Sequence, residues 1–171
     1  GMAQLTVFIT HSPEALANYY GPRALAALQK VAHVQRGDAA APWSVDTLAT
    51  AARDCDIIVS DRRTACEAEL LARLPKLLAV CRCAVDIRNI DVTAASSHGV
   101  LVTQASAGFM AAVSEWVIGV MIDLSRGVSA AAAIYHTGAT PAPTMGRELR
   151  GSTLGIIGYG QIGRTLADLA L

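Results

Sequence analysis

The chain has 171 residues, of which 53% are hydrophobic and 16% charged, and its 14 Lys and Arg residues balance 14 Asp and Glu residues. A high aliphatic content with so little charge is typical of a well-buried α/β protein of one or two domains. Because the charges are scattered singly and sum to zero, nothing marks a surface for nucleic acid, and we expect no nucleic-acid partner.

The sequence indicates neither a leader nor a membrane span. After Met2 there is no basic segment followed by an apolar one, so we expect a cytoplasmic protein. The longest strongly apolar helical run, 116–122, lies between Glu115 and Asp123 and is too short to cross a bilayer. We therefore expect no membrane partner.

Four cysteines, at positions 55, 66, 81 and 83, do not have the paired spacing of a zinc site. We expect ordinary buried thiols and no bound metal.

In the first hundred residues, short apolar runs rich in β-branched residues alternate with segments of helical composition. Ser12 and Pro13 suit the N-cap and first position of a helix, and Gly21-Pro22 interrupts the helical segment that follows. The alternation predicts a parallel sheet with helices on both faces. The predicted strands are 5–9, 31–35, 57–59, 77–80 and 100–103, and the predicted helices are 15–30, 43–53, 66–73 and 89–97.

A long helix follows, and its apolar residues are not confined to one face. Val113, Trp116, Val120 and Leu124 recur at helical spacing, yet Ile122 is apolar too. We expect this helix to be buried on more than one side, against a second domain or a second subunit. The segment 137–146 is rich in Pro, Gly and Thr and is predicted to be a loop.

The last part of the chain carries a glycine-rich turn between a predicted strand, 153–157, and a predicted helix, 164–171. Gly158 permits a tight turn, Gly160 lets the backbone approach a pyrophosphate, and Gly163 allows close packing of helix and strand. The pyrophosphate of a dinucleotide would lie on the backbone N–H groups at the start of the helix. The candidate cofactor-binding residues are Gly158, Tyr159, Gly160, Gln161, Ile162 and Gly163.

Several segments together resemble the D-isomer-specific 2-hydroxyacid dehydrogenases, a family that includes phosphoglycerate dehydrogenase. They occur in the order and at the spacing of that family, over nearly the whole chain. They are Asn-Ile-Asp-Val at 89–92, His-Gly-Val-Leu-Val-Thr at 98–103, Val-Ser-Glu-Trp-Val-Ile-Gly-Val at 113–120, Gly-Arg-Glu-Leu-Arg-Gly at 146–151 and the glycine-rich segment at 154–163.

The resemblance implies a flavodoxin-like substrate domain over 2–105, followed over 106–171 by a long helix and the start of an NAD(P)-binding Rossmann domain. It implies hydride transfer between a nicotinamide and a small 2-hydroxy or 2-keto acid, with NAD favoured over NADP. The family's Arg, acidic residue and His are expected downstream, so no catalytic residue is assigned in this chain and we expect it to be inactive alone. The histidines His11, His33, His98 and His136 are interpreted as solvated or structural.

The same resemblance places substrate in the loops 60–64 and 82–90, where the sequence departs from the family. Family members carry Gly-x-Gly-x-Asp, whose backbone N–H groups bind the substrate carboxylate, and this chain has Ala84, Asp86 and Arg88 instead. The Asp86 carboxylate would repel an anionic ligand unless Arg62 or Arg88 neutralises it. Two interpretations stay open: an Arg–Asp pair that reshapes the pocket, or a solvated surface pair. The substrate-loop candidates are Arg62, Ala84, Val85, Asp86 and Arg88.

An incomplete Rossmann sheet would leave apolar surface uncovered. We therefore expect either additional residues downstream or a homodimer formed through the helix 112–126. The alternative to an enzyme is a non-catalytic nucleotide-sensing or protein-interaction module of the same fold.

Overall fold

The computed structural model describes residues 4–171, and five parallel strands form the centre of its first part. The order across the sheet is β2-β1-β3-β4-β5, the flavodoxin-like order, so the predicted fold class is confirmed. The strands are β1 Thr6–Ile9, β2 His33–Arg36, β3 Ile57–Ser60, β4 Ala79–Arg82 and β5 Leu101–Thr103.

The helices of this part begin where the sequence provides caps. Ser12 Oγ accepts from Ala15 N at 3.1 Å with Pro13 at the first helical position, and Ser44 and Thr47 form a reciprocal capping box. The first helix continues through a π-helical turn, Leu16–Tyr20, up to Gly21. The helices are α1 Pro13–Ala15, α2 Pro22–Val31, α3 Val45–Ala51, α4 Ala68–Ala72 and α5 Val92–Ser97.

Successive residues of the strands face opposite sides of the sheet, and each side has its own core. Phe8, Ile58 and Val80 pack with the residues of α3, α4 and α5. Val7, Ile9 and Val59 pack on the other side with Leu16 and Ala32. The strands β1, β3 and β4 are buried and read as continuous apolar runs, which is why the sequence located them well, whereas the outer strands β2 and β5 are mostly exposed.

The chain divides into two compact units, one ending at Ser106 and the other beginning at Ala107. The second unit contains α6 Met110–Arg126, α7 Val128–His136 and α8 Gln161–Ala170. Gly127, with φ of 67°, ends α6 in the left-handed conformation and allows α7 to begin at once. Helix α7 was not predicted from the sequence, because its alanine-rich segment has no amphipathic pattern.

The predicted strand at 153–157 is wrong for this structure. No strand among the described residues pairs with that segment, and Ile157 is fully exposed. A strand exists only through its ladder of hydrogen bonds, so apolar sequence alone does not make one. The predicted helix after the glycines is confirmed as α8.

The predicted burial of the long helix on more than one side is not met within this chain. Its one fully buried side chain is Ser114, whose Oγ donates to the Ile162 carbonyl at 3.3 Å, whereas Trp116 is 67% and Leu124 82% exposed. Among residues 4–171 no single helix is long and apolar enough to span a membrane. The pair α6 and α7 meets that length and composition only when joined across a 70° bend.

Candidate functional site

Parallel strands end at one edge of the sheet, and polar side chains collect there. His11 comes two residues after β1, Asp61 follows β3 and Arg82 ends β4, in a register that aligns Ile9 with Val59 and Ser60 with Arg82. His11, Asp61 and Arg82 are only 4%, 6% and 6% exposed. Such an edge is where open α/β sheets bind ligands.

Asp61 is held by its own neighbours. Thr10 donates to the carboxylate at 2.9 Å, Thr64 donates to the same oxygen, and the Arg63 guanidinium lies 3.6 Å from the other oxygen. Burial opposes ionisation, but these hydrogen bonds, together with the charge of Arg63 and that of His11 when it is protonated, hold the pKa of Asp61 below its usual value. The carboxylate is therefore ionised and internally satisfied.

Arg82 is buried without a carboxylate partner. Its Nε donates to Asn89 Oδ1 at 3.3 Å and its Nη1 to the Ser60 carbonyl at 3.5 Å, both uncharged acceptors. The Asn89 amide in turn donates to the carbonyls of Asp61, at 3.1 Å, and Thr64, at 2.7 Å. Asn89 thus fixes the two loops and the guanidinium in one arrangement.

His11 carries a polar atom that the protein leaves unused. Within residues 4–171, two buried side-chain polar atoms have no hydrogen-bond partner, His11 Nδ1 and Ser60 Oγ, and both belong to this edge. The imidazole ring stands edge-on to Tyr20, with centroids 6.0 Å apart. Burial is the main cause that lowers the pKa of His11; nearby Arg82 lowers it further, and Asp61 opposes the shift. The ring is therefore neutral at neutral pH.

These side chains line two neighbouring cavities. The larger, of about 430 Å³, is bounded by His11, Asp61, Arg63 and Ala84, and the smaller, of about 300 Å³, by Asp86, Arg88 and Asn89. Arg62 and Arg82 line both. Four of the five predicted substrate-loop residues, all except Val85, therefore lie on these walls.

Asp86 and Arg88 form a chelated ion pair at the rim. The Arg88 backbone N–H donates to Asp86 Oδ1 at 2.9 Å, and its guanidinium reaches Oδ2 at 2.6 Å. Hydrogen bonds from Arg88 lower the pKa of Asp86 to about 2. The Arg88 side chain is 92% exposed, so this is a solvated pair in geometry, although its carboxylate borders the smaller cavity.

The glycine turn has the backbone that its sequence requires. Gly158 has φ of 87°, a conformation that favours glycine, and Gly160 is the N-cap of α8 with open space where a Cβ would stand. A Cβ on Gly163 would lie 2.7 Å from the Gly158 carbonyl oxygen. The N-terminus of α8 is thereby presented close to the turn, with the candidate residues 158–163 around it.

The chain matches the model of the D-isomer specific 2-hydroxyacid dehydrogenase catalytic domain over residues 9–158. It belongs to this family. The recognition made from the sequence segments is thus confirmed.

Relatives agree with the assignment. The chain is 32% identical to glyoxylate reductase from Aeropyrum pernix over 156 residues, which is 86% of this chain and 47% of that protein. It is 38% identical to D-3-phosphoglycerate dehydrogenase from Haemophilus influenzae over 127 residues, 73% of this chain and 31% of that protein. The chain therefore spans about half, or less, of the length of these relatives.

A solved structure shows the same fold. A putative D-isomer specific 2-hydroxyacid dehydrogenase from Polaromonas sp. JS6 66 superimposes with a TM-score of 0.83 at 22% identity, covering 99% of this chain and 52% of that one.

Three residues of the site were missed from the sequence. His11 was interpreted as solvated or structural, and neither Asp61 nor Arg82 was singled out, although both lie within the predicted substrate loops. The available signal was their position at the carboxyl ends of three predicted strands.

The cysteines are free, as expected, but only two of them are buried. Cys55 and Cys66 lie in the core, and burial raises the pKa of Cys66 to about 12, whereas Cys83 is exposed, so the prediction of buried thiols is wrong for it. No group of three or more His, Cys, Asp or Glu side chains within 4–171 is placed to hold a metal ion.

Proposed function

We propose that this chain is part of an NAD(P)-dependent oxidoreductase that transfers hydride between the nicotinamide and the 2-carbon of a small 2-hydroxy or 2-oxo acid. The observation that carries the proposal is the buried Arg82, which has only uncharged acceptors at a sheet edge where ligands bind. A carboxylate ligand would supply the counterion that the protein lacks.

Two tasks fall to the residues of this chain. Arg82 and Arg62 hold the acid by its carboxylate, and the loop 84–86 presents backbone N–H groups beside it. The glycine turn accepts the pyrophosphate through the N-terminus of α8. The nicotinamide supplies the hydride acceptor when bound, and the proton of the 2-hydroxyl leaves to a general base.

We propose that the base, its acidic partner and the substrate-orienting Arg lie outside this chain, so that 4–171 binds both ligands weakly and turns neither over. NAD is proposed over NADP, and the similar protein from Polaromonas is itself named as NAD-binding. A cytoplasmic location is supported by the four free thiols, which persist in reducing compartments.

We also propose a homodimer formed through the helix segment 112–126. Trp116, Ile122 and Leu124 leave a large part of that helix apolar and exposed. Exposed apolar surface of this kind marks association sites.

The test has two arms. The purified chain is titrated with NADH by fluorescence and with glyoxylate by calorimetry, and we expect saturable binding of each, with Kd on the order of millimolar. Turnover is assayed as NADH oxidation by 2-oxo acids, using protein expressed from the whole reading frame that contains this sequence. Failure of either ligand to bind the chain contradicts the proposal. NADH binding without turnover in the second arm supports the nucleotide-sensing alternative instead.

A further inference from the structure

The charges around the two cavities do not cancel. Four guanidiniums line them, of Arg62, Arg63, Arg82 and Arg88, against two carboxylates. Arg63 is paired with Asp61, and Arg88 with Asp86. Within the described chain, Arg62 and Arg82 take part in no ion pair, so two positive charges face the cavities uncompensated.

Asp61 does not serve as the missing counterion of Arg82. Its two oxygens are already occupied by Thr10, Thr64 and Arg63. Burying a charge without a partner is costly, and Arg82 is buried, with only 6% of its surface exposed. A single carboxylate ligand would balance one of the two unpaired guanidiniums and leave the other.

His11 adds a donor at the same place. His11 is 4% exposed, it forms part of the wall of the larger cavity, and its buried Nδ1 has no partner. Buried polar groups are nearly always hydrogen-bonded, so an orphaned nitrogen on a side chain that lines a cavity indicates a ligand atom. In the neutral ring, the tautomer with a proton on Nδ1 donates to an anionic oxygen.

We propose that Arg62, Arg82 and His11 form a subsite for a second acidic group, so that the ligand is a 2-hydroxy or 2-oxo acid with two acidic groups. One acidic group occupies each cavity, and the shared guanidiniums of Arg62 and Arg82 contact both. This inference rests on the proposed function for the first acidic group. The names of the relatives include both glyoxylate, with one acidic group, and phosphoglycerate, with two, so membership of the family does not decide it.

The test compares ligands that differ in the second group, by calorimetry on this chain at constant ionic strength. Malate, sulfolactate and 3-phosphoglycerate carry a carboxylate, a sulfonate and a phosphate, and lactate and glycerate carry no second acid. We expect at least one of the first three to bind about tenfold or more tighter than both of the others. The member of the three that binds tightest identifies the acidic group that the subsite recognises.

Variants separate a built subsite from general attraction of anions. Arg62→Gln alters an exposed side chain and should abolish the preference, and His11→Gln should reduce it without abolishing binding. Arg73→Gln is the matched control, because Arg73 is paired with Asp46 outside both cavities, and it should keep the preference. Equal affinity for singly and doubly acidic ligands overturns the inference while leaving the proposed function standing. An equal loss in Arg73→Gln also overturns it, and absence of binding by every acid overturns the proposed function as well.

Discussion

His11 releases its proton more readily in the folded chain than in the unfolded one, because burial disfavours the imidazolium. With the folded pKa below the ordinary 6.5, the unfolded state binds more protons across the interval between the two pKa values. The free energy of unfolding therefore rises with pH through that interval and falls on acidification below about pH 6.5. Each unit of separation between the two pKa values is worth about 1.4 kcal/mol.

Urea unfolding at about pH 5 and pH 7 measures this effect. We expect His11→Gln to flatten the pH dependence, whereas His33→Gln, at an exposed position, should leave it unchanged. Asp61 does not contribute to this pH dependence. Because the pKa of Asp61 is lowered in the folded chain, its protonation destabilises the chain only at more acidic pH. An unchanged slope in His11→Gln would contradict the assignment.

Substitutions at Asp86 and Arg88 test whether this pair reshapes the pocket or is a solvated surface pair. Its carboxylate is chelated by Arg88, so its repulsion of an anionic ligand should be largely neutralised. We expect Asp86→Asn to change the affinity for a 2-hydroxy acid by less than about threefold, as measured by calorimetry. Arg88→Gln frees the carboxylate and should weaken binding. A gain of about tenfold or more in Asp86→Asn would show instead that the carboxylate acts on the pocket.

Residues of the site were predictable from sequence only where a motif or loop position carries them. Arg62, Ala84, Asp86 and Arg88 were singled out because the resemblance to the family points to their loops. The pairing of Arg63 with Asp61, which leaves Arg82 without a counterion, depends on distances across two loops. The spacing of residues along the sequence does not predict such a distance.

At the scale of elements, the junction of the glycine turn and α8 rests on Gly163. A Cβ there would lie 2.7 Å from a backbone oxygen, so the helix must move away from the turn. We expect Gly163→Ala to destabilise the chain by about 1–3 kcal/mol and to weaken NADH binding by about tenfold.

Gly119→Ala is the control for that change. Gly119 lies inside α6 with open space at its Cβ, and alanine there should stabilise the chain by about 0.5–1 kcal/mol and leave NADH binding unchanged. Thermal unfolding and the NADH titration report both quantities. Equal effects of the two substitutions on NADH would contradict the role of Gly163.

The exposed face of α6 makes a separate prediction about association. If the homodimer forms through this helix, Trp116→Glu should convert it to a monomer at micromolar concentration, measured by light scattering, because the substitution buries a charge in an apolar contact. Val31→Glu, at a position 72% exposed on α2, should leave the mass of the particle unchanged. A wild-type chain that is already monomeric would contradict the proposed dimer.

A helix or strand could be predicted from the sequence when the pattern of its own residues is enough to specify it. The strands β1, β3 and β4 were found because both of their faces are buried, although β4 begins at Ala79 rather than 77, since Leu77 is buried without joining the ladder. The outer strands β2 and β5 are mostly exposed. The segment 153–157 has the composition of a strand and lacks a partner. Whether a segment has a neighbouring strand to pair with depends on other segments, so its own composition does not predict it.

The whole molecule consists of two units that differ in how far they bury their apolar side chains. The unit ending at Ser106 has a five-stranded sheet with a core on each face. The unit beginning at Ala107 has three helices and exposes much of its apolar surface, including Trp116, Leu124 and Ile157. Binding of the acid is therefore expected in the first unit, independently of the second.

We infer that the carboxyl edge of this sheet binds the acid. The most direct measurement is a map of backbone amide chemical shifts in the isotope-labelled chain as malate is added. We predict changes concentrated at His11 and in the loops 60–64 and 82–90, with the opposite edge of the sheet unaffected. Changes confined to other parts of the chain, or none at saturating malate, would contradict it.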